Sequence, residues 1–246
     1  MTRYPELEGR RVVVTGAASG IGLATARRFA EEGSRVVAFD IDGEALAAAT
    51  ADDDGIEGIR VDVGCPQQVR EGFRAVDRVL GGLDVLISNA GISVRRPFLE
   101  ITDEQWSQVM RTNLDGMFLC TREAIGRMRR QGSGVVLLTA STNGLEGHPL
   151  YADYNVSKAG VILLARTIAL EFAPEVRANA VCPGYVLTPM QQAEYTPEML
   201  SEVNRRIPMG RHASPEEVAA LFAFLASDDA AYITGQSIAI DGGETA

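Results

Sequence analysis

The chain has 246 residues, a formal net charge of −10, 46% hydrophobic residues and 23% charged residues. This composition is typical of a folded globular protein, and the negative charge argues against nucleic acid as a partner, because the protein would repel the phosphates. The three cysteines, Cys65, Cys120 and Cys182, are far apart in the sequence, and only two histidines are present. We therefore expect neither a disulfide framework nor a metal site.

The N-terminal segment is polar, and no apolar run reaches the length of about 18 residues that a membrane-spanning helix requires. We therefore expect a cytoplasmic protein without a membrane partner. Glycine and proline are scattered along the chain and do not form a linker, which favours a single domain over residues 1–246.

Short β-branched runs alternate with longer segments of helical period along the chain. Seven strands are predicted at 11–15, 35–39, 59–61, 83–87, 135–139, 177–181 and 237–240, and six helices at 21–32, 43–51, 66–80, 103–130, 152–172 and 215–226. The strands are almost continuously apolar, as expected for a parallel sheet that helices cover on both faces. The pattern predicts an α/β fold with a doubly wound sheet. Residues 188–207, rich in Met and Tyr, are predicted to form a lid-like insertion.

A glycine-rich turn, Thr-Gly-Ala-Ala-Ser-Gly-Ile-Gly, ends the first strand and leads into the first helix. Such a turn directs backbone N–H groups and the positive end of the helix dipole to one point, where a pyrophosphate can bind. The absence of a side chain at Gly16, Gly20 and Gly22 permits the tight turn and the close approach of a ligand. Because the spacing differs from the commoner G-x-G-x-x-G, a turn without a ligand remains open from this motif alone.

Acidic residues end the second and third predicted strands. The carboxylate of Asp40 is placed to accept hydrogen bonds from the adenosine ribose hydroxyls and would repel a 2′-phosphate. Neither the two alanines of the glycine turn nor Ile41 offers the cation that NADP requires, so NAD is the predicted cofactor. Asp62, before Val63, is expected to meet the adenine amino group, although aspartate in this position is also a common turn residue.

Tyr154 and Lys158 lie four residues apart at the start of a long predicted helix and therefore on one face of it. A nearby ammonium favours the phenolate form of tyrosine, which makes the pair a candidate for proton transfer. The same spacing also occurs by chance as an exposed pair with little effect.

Together these motifs resemble the short-chain dehydrogenase/reductase family over nearly the whole chain. The matching residues are Thr15-Gly16-x-x-x-Gly20-x-Gly22, Asn89-Ala90-Gly91, Asn113, Ser141, Tyr154-x-x-x-Lys158, and Pro183-Gly184 followed by Thr188. One departure is the sequence Ala-Ser-Thr at 140–142, where the family often has paired serines. The resemblance implies a Rossmann-type fold and an oxidoreductase.

The resemblance also implies roles for individual residues. Tyr154 would be the general acid/base, Lys158 would tune it and hold the nicotinamide ribose, and Ser141 would hydrogen-bond the reacting oxygen. Asn113 would position a water that links Lys158 to solvent; a core amide that stabilises a helix kink is the alternative. The cofactor-binding residues are then Gly16, Ser19, Gly20, Ile21, Gly22, Asp40, Asp62, Val63, Asn89, Ala90, Gly91, Tyr154, Lys158, Pro183, Gly184, Val186 and Thr188.

The substrate is expected to contact the segment between Ser141 and Tyr154, where Asn143, His148 and Tyr151 are the polar candidates. Residues 189–195 supply Met and Tyr side chains and two amides for another wall. We predict an NAD(H)-dependent enzyme that interconverts a secondary alcohol (polyol, cyclitol, hydroxy acid or cyclic alcohol) and its ketone.

Two alternatives and an assembly remain open from the sequence. Four arginines at 122, 127, 129 and 130 form a basic face that could dock an acidic carrier protein, as in a 3-ketoacyl-carrier-protein reductase, although Asp40 argues against that class. A non-catalytic dinucleotide-sensing protein would need only the glycine turn and Asp40. The resemblance also implies a homotetramer that pairs the helices predicted at 103–130 and 152–172.

Overall fold

A computed structural model describes residues 4–246, and its centre is a seven-stranded parallel sheet in the order β3-β2-β1-β4-β5-β6-β7. The strands are β1 (Arg11–Thr15), β2 (Arg35–Asp40), β3 (Ile56–Arg60), β4 (Val85–Ser88), β5 (Gly134–Thr139), β6 (Val176–Pro183) and β7 (Ser237–Ile240). The helices are α1 (Gly20–Glu31), α2 (Gly43–Ala49), α3 (Pro66–Leu80), α4 (Asp103–Met110), α5 (Gly116–Gln131), α6 (Ala152–Phe172), α7 (Pro189–Glu194), α8 (Pro197–Arg206) and α9 (Pro215–Ala226). The predicted doubly wound α/β fold is confirmed.

Helices cover both faces of the sheet, so the molecule has two apolar layers. Side chains alternate along β1: Val13 packs in one layer with Phe73 of α3, and Val12 packs in the other with Phe29 of α1 and Phe222 of α9. All of these side chains are fully buried. The continuous apolar runs of the sequence therefore reflect strands that are buried on both sides.

The predicted helix at 103–130 is wrong in one respect, because it is interrupted. α4 ends at Met110, a π-helical turn occupies Arg111–Asp115, and α5 begins at Gly116. A π turn takes in one more residue than an α turn and is often found at functional sites. The apolar period continues through the interruption, which is why the sequence pattern did not reveal it.

The third strand also begins earlier than predicted, at Ile56 and not at residue 59. β3 is an edge strand that pairs with β2 in the register Val36↔Ile56 to Asp40↔Arg60. Glu57 and Gly58 lie in it, so backbone pairing and not an apolar run sets its start.

The chain reverses its direction of winding at β1, which lies between β2 and β4. Connections that leave β1 and β4 to opposite sides open a crevice at the carboxyl ends of these strands, the usual ligand site of such sheets. Within residues 4–246, no helix combines the length and apolar character needed to cross a bilayer.

Candidate active site

A cleft of about 530 Å³ lies at the carboxyl ends of the central strands. The glycine turn lines one part of it and the Tyr154/Lys158 pair another. It is lined by most of the predicted cofactor residues, namely Gly16, Ser19, Gly20, Ile21, Asp40, Asp62, Val63, Asn89, Ala90, Gly91, Tyr154, Lys158 and Thr188. Cleft residues that the sequence analysis did not assign to the cofactor are Ile41, Val61, Ile92, Gln108, Arg111, Thr112, Thr139, Pro189 and Met190.

Four predicted cofactor residues do not line this cleft. Gly22 packs behind it against Gly16, Pro183 is buried at the end of β6, and Val186 is buried and pairs with Ala213. Gly184 lines a second, smaller cavity. Their assignment to the cofactor remains a prediction.

The glycine turn is held tightly against the strand ends. Gly16 has a φ of +67°, and a Cβ there would lie 2.7 Å from Cα of Ala90. A Cβ at Gly22 would overlap the carbonyl oxygen of Gly16. Asn89 holds the turn by donating from Nδ2 to the carbonyl of Thr15 at 3.1 Å. Larger residues would therefore push the turn, β4 and α1 apart.

The two strand-end carboxylates are held by backbone amides. Asp40 accepts from the N–H of Ala18 at 2.9 Å, which fixes its side chain beside the glycine turn. Asp62 accepts from the N–H of Gly64 at 2.8 Å, so the turn role considered for it is present, and its side chain also lines the cleft.

These residues fit a dinucleotide. The cleft volume is within the range of about 300–1,000 Å³ of small-molecule sites. Ser19, the N-cap of α1, makes no side-chain capping bond, so the first N–H groups of this helix remain for an anion. The glycines leave room for backbone approach, and the carboxylate of Asp40 in the cleft lining could accept hydrogen bonds from a ribose. A bound nicotinamide dinucleotide would supply hydride acceptance or donation.

Asn113 occupies the middle of the π turn and is fully buried. Its Oδ1 accepts from the N–H of Ile92 at 2.8 Å, and its Nδ2 donates to the Ile92 carbonyl at 2.9 Å. A Cβ on Gly91 would lie 3.3 Å from Oδ1 of Asn113 and 3.4 Å from Nζ of Lys158. Asn113 thus fixes the loop after β4 beside Lys158, as a core amide would. That it positions a water linking Lys158 to solvent remains a prediction.

Tyr154, Lys158 and Ser141 converge between the two cavities. Tyr154 and Lys158 lie on α6, and Nζ of Lys158 is 5.5 Å from the centre of the Tyr154 ring. Nζ also donates to the carbonyl of Thr139, at the end of β5, at 2.7 Å. Ser141, two residues further on, forms a hydrogen bond with the Tyr154 side chain. Lys158 is buried and Tyr154 is half-buried, so the predicted pair is not an exposed chance spacing.

Burial changes the acidity of both groups. It raises the pKa of Tyr154 to about 12, an effect that the hydrogen bond with Ser141 opposes and the negative charge of Glu194 reinforces. Burial also lowers the pKa of Lys158 to about 8. In the protein alone, burial therefore outweighs the stabilisation of the phenolate that we expected from the ammonium. Tyr154 is set to donate a proton at neutral pH, and Lys158 titrates close to neutrality.

A second cavity of about 80 Å³ adjoins Tyr154 on the side away from the glycine turn. It contains the predicted residues Asn143, His148 and Tyr151 together with Ser141. Met190, Gln191, Glu194 and Tyr195, from the segment 189–195 that was expected to form a wall of the substrate site, also line it, as does Thr142 of the segment after Ser141. The sequence analysis did not assign Ser93, Gly184 and Tyr185 to the substrate site. The expected wall thus comes from α7 and the residue after it.

In the part of the chain that the structure describes, no group of three or more His, Cys, Asp or Glu side chains is arranged to hold a metal ion.

Comparison with known proteins shows similarity over the whole site. A family model described as Enoyl-(Acyl carrier protein) reductase matches residues 16–245. The 3-oxoacyl-(acyl-carrier-protein) reductase FabG of Thermotoga maritima is 42% identical over 244 residues, which cover 96% of this chain and 98% of that protein. The 3beta-hydroxysteroid dehydrogenase 1 of Eggerthella lenta is 40% identical over 250 residues, which cover 98% and 96% of the two chains.

Among solved structures, the 3-ketoacyl-(acyl-carrier-protein) reductase of Brucella melitensis, complexed with NADH, aligns with a TM-score of 0.93 at 31% identity. The alignment covers 98% of this chain and 100% of that one. The relatives are named for different substrates, so the similarity identifies a class of reaction and not a substrate.

Proposed function

Since the chain belongs to the short-chain dehydrogenase/reductase family, whose members act on hydroxyl and keto groups, we propose that it is an NAD(H)-dependent enzyme that interconverts a secondary alcohol and its ketone. The observation that carries this proposal is the position of Tyr154, which lines both the dinucleotide cleft and the smaller cavity. A proton donor at that boundary can protonate the oxygen of a carbonyl group in the smaller cavity, while the carbon of that group would exchange a hydride with a cofactor in the cleft.

The roles of the site residues follow from their contacts. Tyr154 moves the proton to or from the substrate oxygen, and Ser141, hydrogen-bonded to it, orients the same oxygen. Lys158, buried beside the ring with a pKa near 8, passes the proton onward. Asn113 holds the backbone at Ile92 and so keeps the cofactor loop beside Lys158.

The choice of NAD over NADP rests on Asp40. Its carboxylate is fixed beside the glycine turn by the N–H of Ala18, where it would bind ribose hydroxyls and repel a 2′-phosphate. The neighbouring Ile41 lines the cleft and is 59% exposed, and it carries no charge to hold a phosphate. Members of the family bind a nicotinamide dinucleotide, either NAD or NADP. Asp40 and Ile41 support NAD as the cofactor of this chain.

A 3-ketoacyl-carrier-protein reductase is the second candidate, because two of the relatives described above carry that name. One of them was solved with NADH, so a preference for NAD, which Asp40 supports, does not exclude this class. The basic face proposed for carrier docking is partly neutralised, since Arg127 forms ion pairs with Asp77 and Glu123. No observation favours a non-catalytic sensing role.

Location and assembly are further proposals. Cys65, Cys120 and Cys182 are free thiols, which supports a reducing cytoplasmic compartment. Exposed apolar side chains on α5 and α6, among them Phe118 and Leu170, support a homotetramer that pairs these helices.

The test is a spectrophotometric screen of NAD⁺ and NADP⁺ reduction against polyols, cyclitols, hydroxy acids, cyclic alcohols and a 3-hydroxyacyl-carrier thioester. We expect turnover of at least one secondary alcohol with NAD⁺ at a kcat/KM at least about tenfold above that with NADP⁺, a difference of about 1.4 kcal/mol. Turnover of an acyl-carrier thioester alone would favour the second candidate. Absence of turnover in every arm would contradict the proposal.

A further inference from the structure

The smaller cavity contains a carboxylate that the reaction chemistry does not use. Glu194, the last residue of α7, accepts a hydrogen bond from the Tyr151 hydroxyl through Oε2 at 2.8 Å. Tyr151 is in turn 3.2 Å from the hydroxyl of Tyr195. The other oxygen of Glu194, Oε1, is buried and has no hydrogen-bond partner. One side of this carboxylate is therefore fixed, and the other still requires a donor.

Two further polar atoms in the lining of the same cavity are buried without a partner. They are Nε2 of Gln191, also on α7, and Nε2 of His148, from the loop after β5. Leaving a buried polar atom without a partner is costly, so three such atoms around one cavity indicate a ligand that satisfies them. Together they offer an acceptor, a donor and a ring nitrogen that can act as either.

We propose, building on the function proposed above, that Glu194 determines substrate specificity and that, with Gln191 and His148, it selects a compact, uncharged polyol. A hydroxyl group both donates and accepts, so neighbouring hydroxyls on one substrate can meet the carboxylate oxygen and the amide nitrogen in turn. The hydroxyl that reacts is held by Tyr154 and Ser141 in the same cavity.

The charges around the cavity exclude an anionic substrate. Among the described residues that line it, none is Lys or Arg, and Glu194 is the acidic side chain. The negative charge of Glu194 also affects Tyr154, because it adds to the rise in the pKa of Tyr154 that burial causes. A carboxylated or phosphorylated alcohol would be repelled here.

A cationic substrate fits less well than a neutral one. The ring hydroxyls of Tyr151 and Tyr195 and the carboxylate would accept from an ammonium, but Nε2 of Gln191, a buried donor without a partner in the same lining, requires an acceptor. A hydroxyl satisfies both kinds of group, whereas an ammonium has no acceptor for the amide. The volume of about 80 Å³ further limits the substrate to a compact molecule while α7 holds this position.

The experiment compares three four-carbon alcohols that differ in charge: butane-2,3-diol, 3-hydroxybutanoate and 3-aminobutan-2-ol. Each is oxidised with NAD⁺ by the wild-type enzyme, by Glu194→Gln and by Glu198→Gln. Gln at 194 keeps an acceptor for Tyr151 and removes the charge. Glu198 is an exposed residue of α8, so its substitution makes the same chemical change outside the cavity.

We expect the wild-type kcat/KM for the diol to exceed those for the other two alcohols by at least about tenfold. In Glu194→Gln the ratio of diol to hydroxybutanoate should fall by about tenfold, and in Glu198→Gln it should not change. If Glu194→Gln does not fold, Gln191→Met provides the second test: the kcat/KM for the diol should fall several-fold, with hydroxybutanoate unaffected.

Two results would overturn the inference alone: an unchanged ratio in a folded Glu194→Gln enzyme, or a wild-type preference for the amino alcohol or the hydroxy acid. Absence of turnover with all three alcohols, and with every alcohol of the broader screen, would instead overturn the proposed function and the inference with it. The two failures are therefore distinguishable.

Discussion

The cofactor cleft and the substrate cavity meet at Tyr154 but are built in different ways. The cleft is made mainly of backbone: glycines packed against strand ends, and amides that fix Asp40 and Asp62. The cavity is made of side chains from α7 and the loop after β5, and several of its polar atoms have no protein partner. The fold itself thus fixes the cofactor site, whereas individual side chains such as Glu194 decide what is bound beside it.

The largest effect is expected at the boundary of the two regions. Tyr154→Phe removes the proton donor but keeps the ring, so kcat should fall by at least about 100-fold, the lower end of what general acid–base catalysis contributes. The dissociation constant of NADH, measured by fluorescence titration, should change by less than about twofold, since the cleft is otherwise intact.

The matched control is Tyr232→Phe. Tyr232 is fully exposed, so this substitution removes the same hydroxyl group at the surface, away from the site. Its rate should equal that of the wild type. A Tyr154→Phe enzyme that retains the wild-type rate would contradict the role of this hydroxyl as the proton donor.

The next effect concerns the cleft alone. Replacing Asp40 by Ala and Ile41 by Arg removes the repulsion of a 2′-phosphate and adds a cation for it, so the ratio of kcat/KM with NAD⁺ to that with NADP⁺ should fall by at least about tenfold. The relative rates with different alcohols should stay the same. Asp54→Ala, at an exposed acid in the turn before β3, should leave the cofactor ratio unchanged. An unchanged ratio in the double variant would contradict the assignment of Asp40.

A methyl group should be tolerated differently in the two regions. In Gly22→Ala the new Cβ would overlap the Gly16 carbonyl and lie 2.8 Å from Nδ2 of Asn89, so the free energy of unfolding should fall by about 1–3 kcal/mol. In Gly147→Ala, in the loop beside the substrate cavity, the new Cβ meets nothing within 4 Å, and the change should stay within about 0.5 kcal/mol. Chemical denaturation measures the free energy of unfolding of both variants. Equal losses of stability in the two would contradict the expected difference between the cleft and the loop beside the cavity.

The smallest effect is the pH dependence. Burial places the pKa of Lys158 at about 8, and alcohol oxidation requires a neutral amine to take up the proton that Tyr154 receives. The kcat/KM for oxidation should therefore rise as pH increases through about 8, and the value for reduction should fall over the same range. Lys158→Arg keeps the charge at all these pH values, so the remaining activity should lack this inflection. A profile that keeps it would assign the inflection to another group.

The sequence predicted the cleft better than the cavity for a physical reason. The glycine turn, Asp40 and the strand ends are local patterns that the parallel sheet brings together in a fixed way, and the structure places them in one cleft. The contribution of Glu194 depends on how α7 folds back toward Tyr151, which no periodicity in the chain encodes. The sequence analysis found the tyrosine and the amides of this segment but assigned no role to the carboxylate.

The same reasoning explains the errors in the elements. The start of β3 is set by its pairing with β2 and not by its own apolar residues. The break between α4 and α5 comes from a π turn whose amide, Asn113, bonds to Ile92 in a distant part of the sequence. Both features arise from tertiary contacts that a local pattern does not contain.

The π turn also sets where Asn113 lies between α4 and α5. A π turn holds one residue more than an α turn, so deleting one residue at Arg111–Asp115 would convert it into an α turn and leave α4 and α5 in nearly the same relative orientation. The widened turn that places Asn113 against the backbone of Ile92 would be lost. The length of this segment therefore serves the loop after β4 more than the orientation of the two helices.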